Sequence, residues 1–143
     1  MVGAKKIAHL GIAVFDLARA ERFYLEVLGL SVAHREAVEG EKVKTSFIPL
    51  GGVEIELLEP TDPESPVGRF LAARGEGLHH VAIEVDDLAE TLNRARAGGF
   101  RLVDEVPRQG AGGTLVAFLH PKSTNGVLIE LVQRPPEAGV KAR

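Results

Sequence analysis

Hydrophobic residues in the first half of the chain recur with two different periods. Between the first two strand-like stretches, apolar residues recur at helical spacing from Leu17 to Leu28. Asp16 is a favourable N-cap before this stretch, and Gly29 is a natural end for the helix. Stretches rich in Ile, Val and Leu predict strands near 6–14, 31–38, 43–50 and 53–58.

The second half repeats the first half with most of its pattern intact. The segment 9–18 returns 71 residues later as 80–89, and Phe47-Ile48-Pro49 returns at the same offset as Phe118-Leu119-His120. Ile55-Glu56-Leu57-Leu58 returns 74 residues later. In this half we predict a helix behind Asp87 that ends at Gly98-Gly99, and strands near 79–85, 101–106, 114–119 and 127–132.

The repeat predicts an α+β fold built from tandem βαβββ modules, near residues 5–60 and 77–134. Helical spacing within 60–77 predicts a short linking helix between the modules. We expect a single domain over residues 1–143, with the strands forming a cupped mixed sheet around a metal site.

Composition and charge exclude several classes of protein. The net charge is −3 and no run of basic residues occurs, so a nucleic-acid partner is not expected. The chain has no cysteine, which excludes disulfides and thiolate metal sites. No apolar run is long enough for a membrane helix, and the N-terminal residues lead into a strand without a signal-peptide core. A cytoplasmic location is therefore expected.

Two histidines and two glutamates occupy matching positions of the repeat. His9 and His80 lie at the start of equivalent strands, and Glu56 and Glu130 lie in the last strands of the two modules. Pseudo-two-fold packing of the modules can bring all four side chains together. Two imidazoles and two carboxylates suit a divalent first-row metal ion such as Co²⁺, Mn²⁺, Ni²⁺, Zn²⁺ or Fe²⁺.

A structural interpretation of each residue stays open beside this one. A single strand histidine is more often hydrogen-bonded structure than a ligand, and a single strand glutamate more often pairs with Arg or faces solvent. His79 is expected to be a non-ligand neighbour of His80, and His34 to be structural or exposed. Glu54 either faces solvent or supports a ligand, and Glu59 and Glu84 are expected to be surface charges.

With these residues in place, the chain resembles the vicinal oxygen chelate superfamily, and within it the methylmalonyl-CoA epimerase branch. The resemblance extends from Ile7 to about Gln133. The segments that carry it are 77–82, 120–123 with 126–131, 50–52 with 55–60, and 104–105 with 110–113.

The resemblance implies metal-dependent epimerisation of (2R)- and (2S)-methylmalonyl-CoA, by α-proton abstraction through a metal-stabilised enediolate. The implied metal ligands are His9, Glu56, His80 and Glu130. Glu130 would also act as acid/base on one side of the substrate. The aligned position for the second acid/base is Lys44, which can alternatively anchor the substrate or face solvent.

The resemblance also implies an acyl-CoA thioester partner and a divalent ion, Co²⁺ first, with Mn²⁺, Ni²⁺, Zn²⁺ or Mg²⁺ as alternatives. We expect substrate contacts from Lys122 and Ser123, and from Gly112 and Gly113 in a glycine-rich loop. The alternative interpretation of this loop is a simple turn. Related folds often form homodimers, which we also expect here. The alternative functions are a glyoxalase I-type lyase or isomerase acting on a hemithioacetal, and a non-catalytic small-molecule-binding module.

Overall fold

The computed structural model describes residues 3–136. Its strands are β1 (Ala4–Ala13), β2 (His34–Val38), β3 (Val43–Leu50), β4 (Val53–Pro60), β5 (Gly77–Val85), β6 (Arg108–Gln109), β7 (Leu115–Leu119) and β8 (Ile129–Gln133). Its α-helices are α1 (Leu17–Arg22), α2 (Pro66–Arg74) and α3 (Leu88–Ala97). In the described part of the chain, no helix has both the length and the apolar character that crossing a membrane requires.

Residues 7–82 form one compact unit. Its strands follow the order β2-β3-β4-β1-β5, with β3 antiparallel to both of its neighbours and β1 parallel to β4. One face of these strands packs against α1 through the buried residues Val14, Ile48, Ile55 and Leu57. Since side chains alternate across a strand, the residues between these project from the other face.

The other compact unit comprises the described residues 3–6 and 83–136. Here the end of β5 is followed in the sheet by β8, β7 and β6. Leu88 and Leu92 of α3 are fully buried against Val85, Ala117 and Leu131. This unit therefore has its own core of one helix packed on one face of a sheet.

The α+β fold class and the paired strand-helix-strand pattern are confirmed. Helix α2 lies inside the segment 60–77, where a linking helix was expected. The single-domain organisation and the module limits near 5–60 and 77–134 stay predictions.

Two elements differ from their predicted extents. The first helix is α-helical only for Leu17–Arg22 and continues as a π-helical turn over Phe23–Val27. The strand predicted near 101–106 does not form, apart from one bridge between Leu102 and Leu119. The Asp104 carboxylate accepts a hydrogen bond from the Phe118 backbone N–H at 2.8 Å, which takes the place of a ladder bond. A side-chain acceptor thus ends the backbone pairing that the apolar pattern predicted.

Candidate metal centre

Two buried imidazoles face each other in the unit of residues 7–82. His9 of β1 and His80 of β5 are both buried, and their Nε2 atoms lie 3.0 Å apart. Their ring planes are nearly perpendicular, at 82°. The sequence placed both residues in register, and the structure brings their side chains into contact.

Further side chains hold the outer nitrogen of each imidazole. A Glu56 carboxylate oxygen lies 2.8 Å from His9 Nδ1, and the carboxylate is itself buried. His79 Nδ1 lies 2.9 Å from His80 Nδ1, and the His79 ring packs edge-on against Phe70 of α2. Partners at Nδ1 fix the tautomer and orientation of a histidine that ligates through Nε2. His79 thus contacts the nitrogen of His80 that faces away from His9, and its expected role as a non-ligand neighbour stays a prediction.

Gly11 makes room for the His80 ring. A Cβ atom built on Gly11 would lie 2.2 Å from His80 Cε1 and 2.6 Å from both ring nitrogens. The imidazole therefore lies directly over the backbone of β1, where any side chain would displace it. This glycine is required for close approach rather than for an unusual backbone angle.

The donors in this unit fit a divalent metal ion. The Nε2 atoms of the two imidazoles are 3.0 Å apart, close enough for both to bind one ion. Imidazole nitrogen with carboxylate oxygen is a donor set that first-row divalent ions accept. His9 and His80 are therefore side chains that can hold a metal.

Glu130 occupies the corresponding position in the other unit. It lies on β8 with 4% of its surface exposed and is directly opposite Phe118 of β7. In the unit of residues 7–82, Glu56 of β4 is directly opposite Phe47 of β3. Each unit therefore places a buried carboxylate across from a phenylalanine, so the repeat extends to this strand pairing.

Each unit also ties the strand that carries this carboxylate to its own helix. Glu59, three residues after Glu56, accepts a hydrogen bond from the Leu17 N–H at 2.8 Å. Gln133, three residues after Glu130, accepts one from the Leu88 N–H at 2.8 Å. Both bonds satisfy an otherwise open donor in the first turn of a helix. The expectation that Glu59 is a surface charge is wrong, because its carboxylate caps a helix. The equal three-residue spacing after Glu56 and Glu130 could have indicated this role from the sequence.

Lys44 lies on the opposite face of β3 from the residues around the imidazole pair. Phe47 and Glu56 are direct partners and share a face, as do Thr45 and Leu58. Lys44 alternates with these residues along β3, is exposed, and lies directly opposite Glu59 of β4 in the strand register. The structure therefore separates Lys44 from Glu56 by the thickness of the sheet.

The expected substrate-contacting residues lie in two turns of the other unit. Lys122 is exposed in the turn Pro121–Ser123, while the Ser123 hydroxyl accepts the Arg101 N–H at 2.8 Å. Gly112 and Gly113 are exposed in a tight turn and both have positive φ angles, 63° and 76°. The serine thus has a structural partner, and the glycines form the turn that was their alternative interpretation.

Sequence reasoning missed an ion pair between a buried glutamate and an exposed arginine in the unit of residues 7–82. Glu21 of α1 is 5% exposed and binds Arg35 through both carboxylate oxygens, at 2.6 and 2.8 Å. The Ser46 hydroxyl also donates to it. The Arg35 guanidinium holds the pKa of the Glu21 carboxyl below its usual value. Glu21 follows Leu17 by four residues, so helical spacing already placed it on the buried face.

Glu84 is a second buried carboxylate and not the surface charge that was expected. It is 7% exposed, and its carboxylate lies 2.7 Å from Arg134 Nε and 3.6 Å from Lys5 Nζ. The even spacing of residues along β5 places Glu84 on the same face of the strand as His80. A buried carboxylate needs such partners, since an unpaired one is costly.

Comparison with known proteins identifies the family. The family model of the Glyoxalase/Bleomycin resistance protein/Dioxygenase superfamily matches residues 8–118. The chain belongs to this superfamily. The predicted vicinal oxygen chelate relationship is therefore confirmed, since the two names describe one group of proteins.

Individual superfamily members are similar over most of their length. An ethylmalonyl-CoA/methylmalonyl-CoA epimerase of Cereibacter sphaeroides is 38% identical over 93% of this chain and 99% of its own. The mitochondrial methylmalonyl-CoA epimerase of Dictyostelium discoideum is 37% identical over 93% of this chain and 81% of its own. The Streptomyces coelicolor methylmalonyl-CoA epimerase in complex with 2-nitronate-propionyl-CoA has a TM-score of 0.90 and 36% identity, covering 94% of this chain and all of that one.

Proposed function

We propose that this protein is a metal-dependent epimerase that interconverts (2R)- and (2S)-methylmalonyl-CoA. The observation that carries the proposal is the buried His9–His80 pair with its Glu56 carboxylate. It occurs in a chain that is 37% and 38% identical to proteins named as epimerases of this substrate. A mixed imidazole and carboxylate set leaves coordination positions open on an octahedral ion for a chelating substrate.

Four residues are proposed to hold the metal: His9, Glu56, His80 and Glu130. The two imidazoles meet at their Nε2 atoms, whereas Glu56 lies at the other nitrogen of His9, Nδ1, so its place among the ligands rests on the repeat. Glu130 is included because its unit repeats the arrangement of Glu56, a buried carboxylate directly opposite a phenylalanine. When bound, a divalent ion supplies Lewis-acid polarisation of the thioester and carboxylate oxygens of the substrate.

The residues of the chain would then move the proton. The C2 proton of methylmalonyl-CoA is acidified by the two neighbouring carbonyl groups. In the proposal, Glu130 accepts this proton from one epimer and donates a proton to form the same epimer in the reverse direction.

Inversion of configuration requires a second group on the other side of the substrate. Lys44 stays a prediction for this role, and its position on the opposite face of β3 disfavours it. Replacing Lys44 by Ala decides the matter, because a required acid/base cannot be removed without loss of inversion. With Lys44 on the far face, we expect the Lys44→Ala variant to keep its turnover within about threefold.

Contacts with the anionic groups of the acyl-CoA are proposed for two exposed turns. Lys122 offers an exposed ammonium group, and the exposed backbone of Gly112 and Gly113 carries no side chain that would keep a ligand at a distance. Lysine and exposed backbone amides both bind phosphate and carboxylate groups. Ser123 is proposed to support the Lys122 turn through its bond to Arg101.

The deciding experiment is proton exchange at C2. The protein is stripped with EDTA, reloaded with Co²⁺, Mn²⁺, Ni²⁺, Zn²⁺ or Mg²⁺, and incubated in D₂O with each epimer of methylmalonyl-CoA. We expect deuterium incorporation with inversion, fastest with Co²⁺, and loss of both on adding EDTA. A His80→Ala variant should bind Co²⁺ more weakly in a direct titration and lose turnover together with it.

The outcomes also separate the alternative functions. Turnover of a hemithioacetal without exchange of methylmalonyl-CoA would indicate a glyoxalase I-type lyase or isomerase. Absence of turnover on both substrates with every metal would leave the small-molecule-binding module. A homodimer and a cytoplasmic location belong to the same proposal, and sedimentation and cell fractionation measure them.

A further inference from the structure

The second proton-transfer group must reach a substrate held by His9, Glu56 and His80. It must therefore project from the face of the sheet that carries these side chains. Lys44 does not meet this condition, because it alternates with the residues that share the face of Glu56. The inference below rests on the proposed epimerase function and identifies a residue that does meet it.

Strand β2 places two titratable side chains on the face of Glu56. His34 is directly opposite Phe47, and Phe47 is directly opposite Glu56. Glu36 is directly opposite Thr45, two residues along the same face. Directly opposite residues of antiparallel strands share a face, so His34 and Glu36 project from the face of Glu56. Glu36 is two strand spacings of about 4.8 Å from β4 and two residues along from Glu56, so their Cα atoms are roughly 12 Å apart, which leaves room for a small acyl group between the side chains.

His34 lies close to Glu36 and packs on Phe47 of the same face. The His34 ring stacks on the Phe47 ring, with centroids 4.2 Å apart and planes 11° apart. His34 Nε2 lies 3.5 Å from a Glu36 carboxylate oxygen. The side chain of Glu36 is 34% exposed and that of His34 is 53% exposed. The carboxylate is thus partly sheltered, and the more exposed imidazole can pass protons between it and solvent.

We propose that Glu36 is the second acid/base of the epimerisation, held and re-protonated through His34. As the C2–H bond of one epimer breaks, its electron pair passes to the carbonyl system and the proton goes to Glu36. A proton from Glu130 then forms the new C2–H bond with inverted configuration. In the reverse direction, Glu130 takes the proton and the protonated Glu36 supplies one.

Glu54 provides a matched control for this assignment. It is a carboxylate on the same face, two residues before Glu56 on β4 and opposite Pro49. It belongs to the strand that carries the ligand, whereas Glu36 lies across β3 from that strand. A group on the far side of the substrate from the ligands must lie on a different strand from those ligands.

The test compares Glu36→Gln, Glu54→Gln and the wild type, each loaded with Co²⁺, using both epimers of methylmalonyl-CoA in D₂O. Deuterium at C2 and configuration at C2 are measured separately, and Co²⁺ affinity is measured by titration of the apoprotein. In Glu36→Gln we expect inversion to fall by about 100-fold or more. One epimer should still exchange its C2 proton with retention, the other should not, and Co²⁺ affinity should be unchanged.

Other results would overturn the assignment. Inversion within about threefold of wild type in Glu36→Gln would exclude the role, as would the same selective loss in Glu54→Gln. Loss of Co²⁺ binding in Glu36→Gln would show a structural effect and also overturn it. Absence of exchange in the wild type is a distinct result, because it contradicts the proposed function itself.

Discussion

Gly11→Ala should damage the candidate metal centre without altering any of the proposed ligands. The added Cβ would lie 2.2 Å from His80 Cε1, whereas ordinary van der Waals contact begins at 3.4 Å. The ring must therefore move by about 1 Å or more, or β1 and β5 must separate. Displacement of a reacting group by about 1 Å can cost about 100-fold in rate. We expect a loss of this size in turnover, and about 10- to 100-fold weaker Co²⁺ binding.

The matched control is Gly77→Ala on the same strand as His80. A Cβ built on Gly77 has nothing within 4 Å, so this change tests glycine replacement alone. Alanine in a strand otherwise stabilises by roughly 0.5–1 kcal/mol relative to glycine. We therefore expect Gly77→Ala to keep its metal affinity and turnover, with a thermal midpoint equal to or slightly above that of wild type.

The assays are Co²⁺ titration of the apoprotein, C2 exchange of methylmalonyl-CoA in D₂O, and thermal unfolding of the apoprotein. Both variants should fold, since the clash at Gly11 can be relieved by movement of one imidazole. Metal affinity and turnover of Gly11→Ala within about threefold of wild type would refute the reasoning. It would mean that the His80 ring does not need the position over β1.

Two further predictions concern the supports of the site. Glu59→Ala should lower the free energy of unfolding by about 1 kcal/mol because the Leu17 N–H loses its acceptor. Glu59→Gln should retain most of this stability, since Gln133 makes the same bond in the other unit. Urea unfolding measures both variants, and equal losses of stability would contradict this account. The folded-state pKa of Glu21 is lowered chiefly by its hydrogen bond to Arg35, so its stabilisation is present above the unfolded pKa and is lost as pH falls through the folded pKa. Glu21→Gln should therefore be less stable than wild type near neutral pH, and the difference should shrink on acidification below about pH 4; a difference independent of pH would disprove this linkage.

The internal repeat made much of the fold predictable. The repeat matched Glu56 with Glu130, and both are buried. His9 and His80 were paired by the same argument and are in contact. The hydrophobic pattern predicted strands less reliably where a side chain accepts the hydrogen bond of a backbone N–H group. The segment near 101–106 has strand-like residues, yet the Asp104 carboxylate takes the N–H of Phe118.

Some residues could not be placed without the register of the strands. Alternation along β3 shows that Lys44 and Thr45 lie on opposite faces, but the sequence does not say which face meets the histidines. The pairing of Phe47 with Glu56 decides this, and it moves Lys44 away from the ligands. The importance of Glu36 likewise depends on its position opposite Thr45.

The sequence by itself determined the repeated βαβββ order, the family and the four candidate ligands, because periodicity and repetition are properties of the chain alone. Only the tertiary structure decided which contacts surround these residues: Glu56 on the His9 imidazole, His79 on that of His80, Gly11 beneath His80, and Glu59 on α1. Apart from the adjacent His79 and His80, these contacts join residues far apart in the chain. Their geometry depends on strand register and on side-chain direction, and a shift of one residue would send each side chain to the other face.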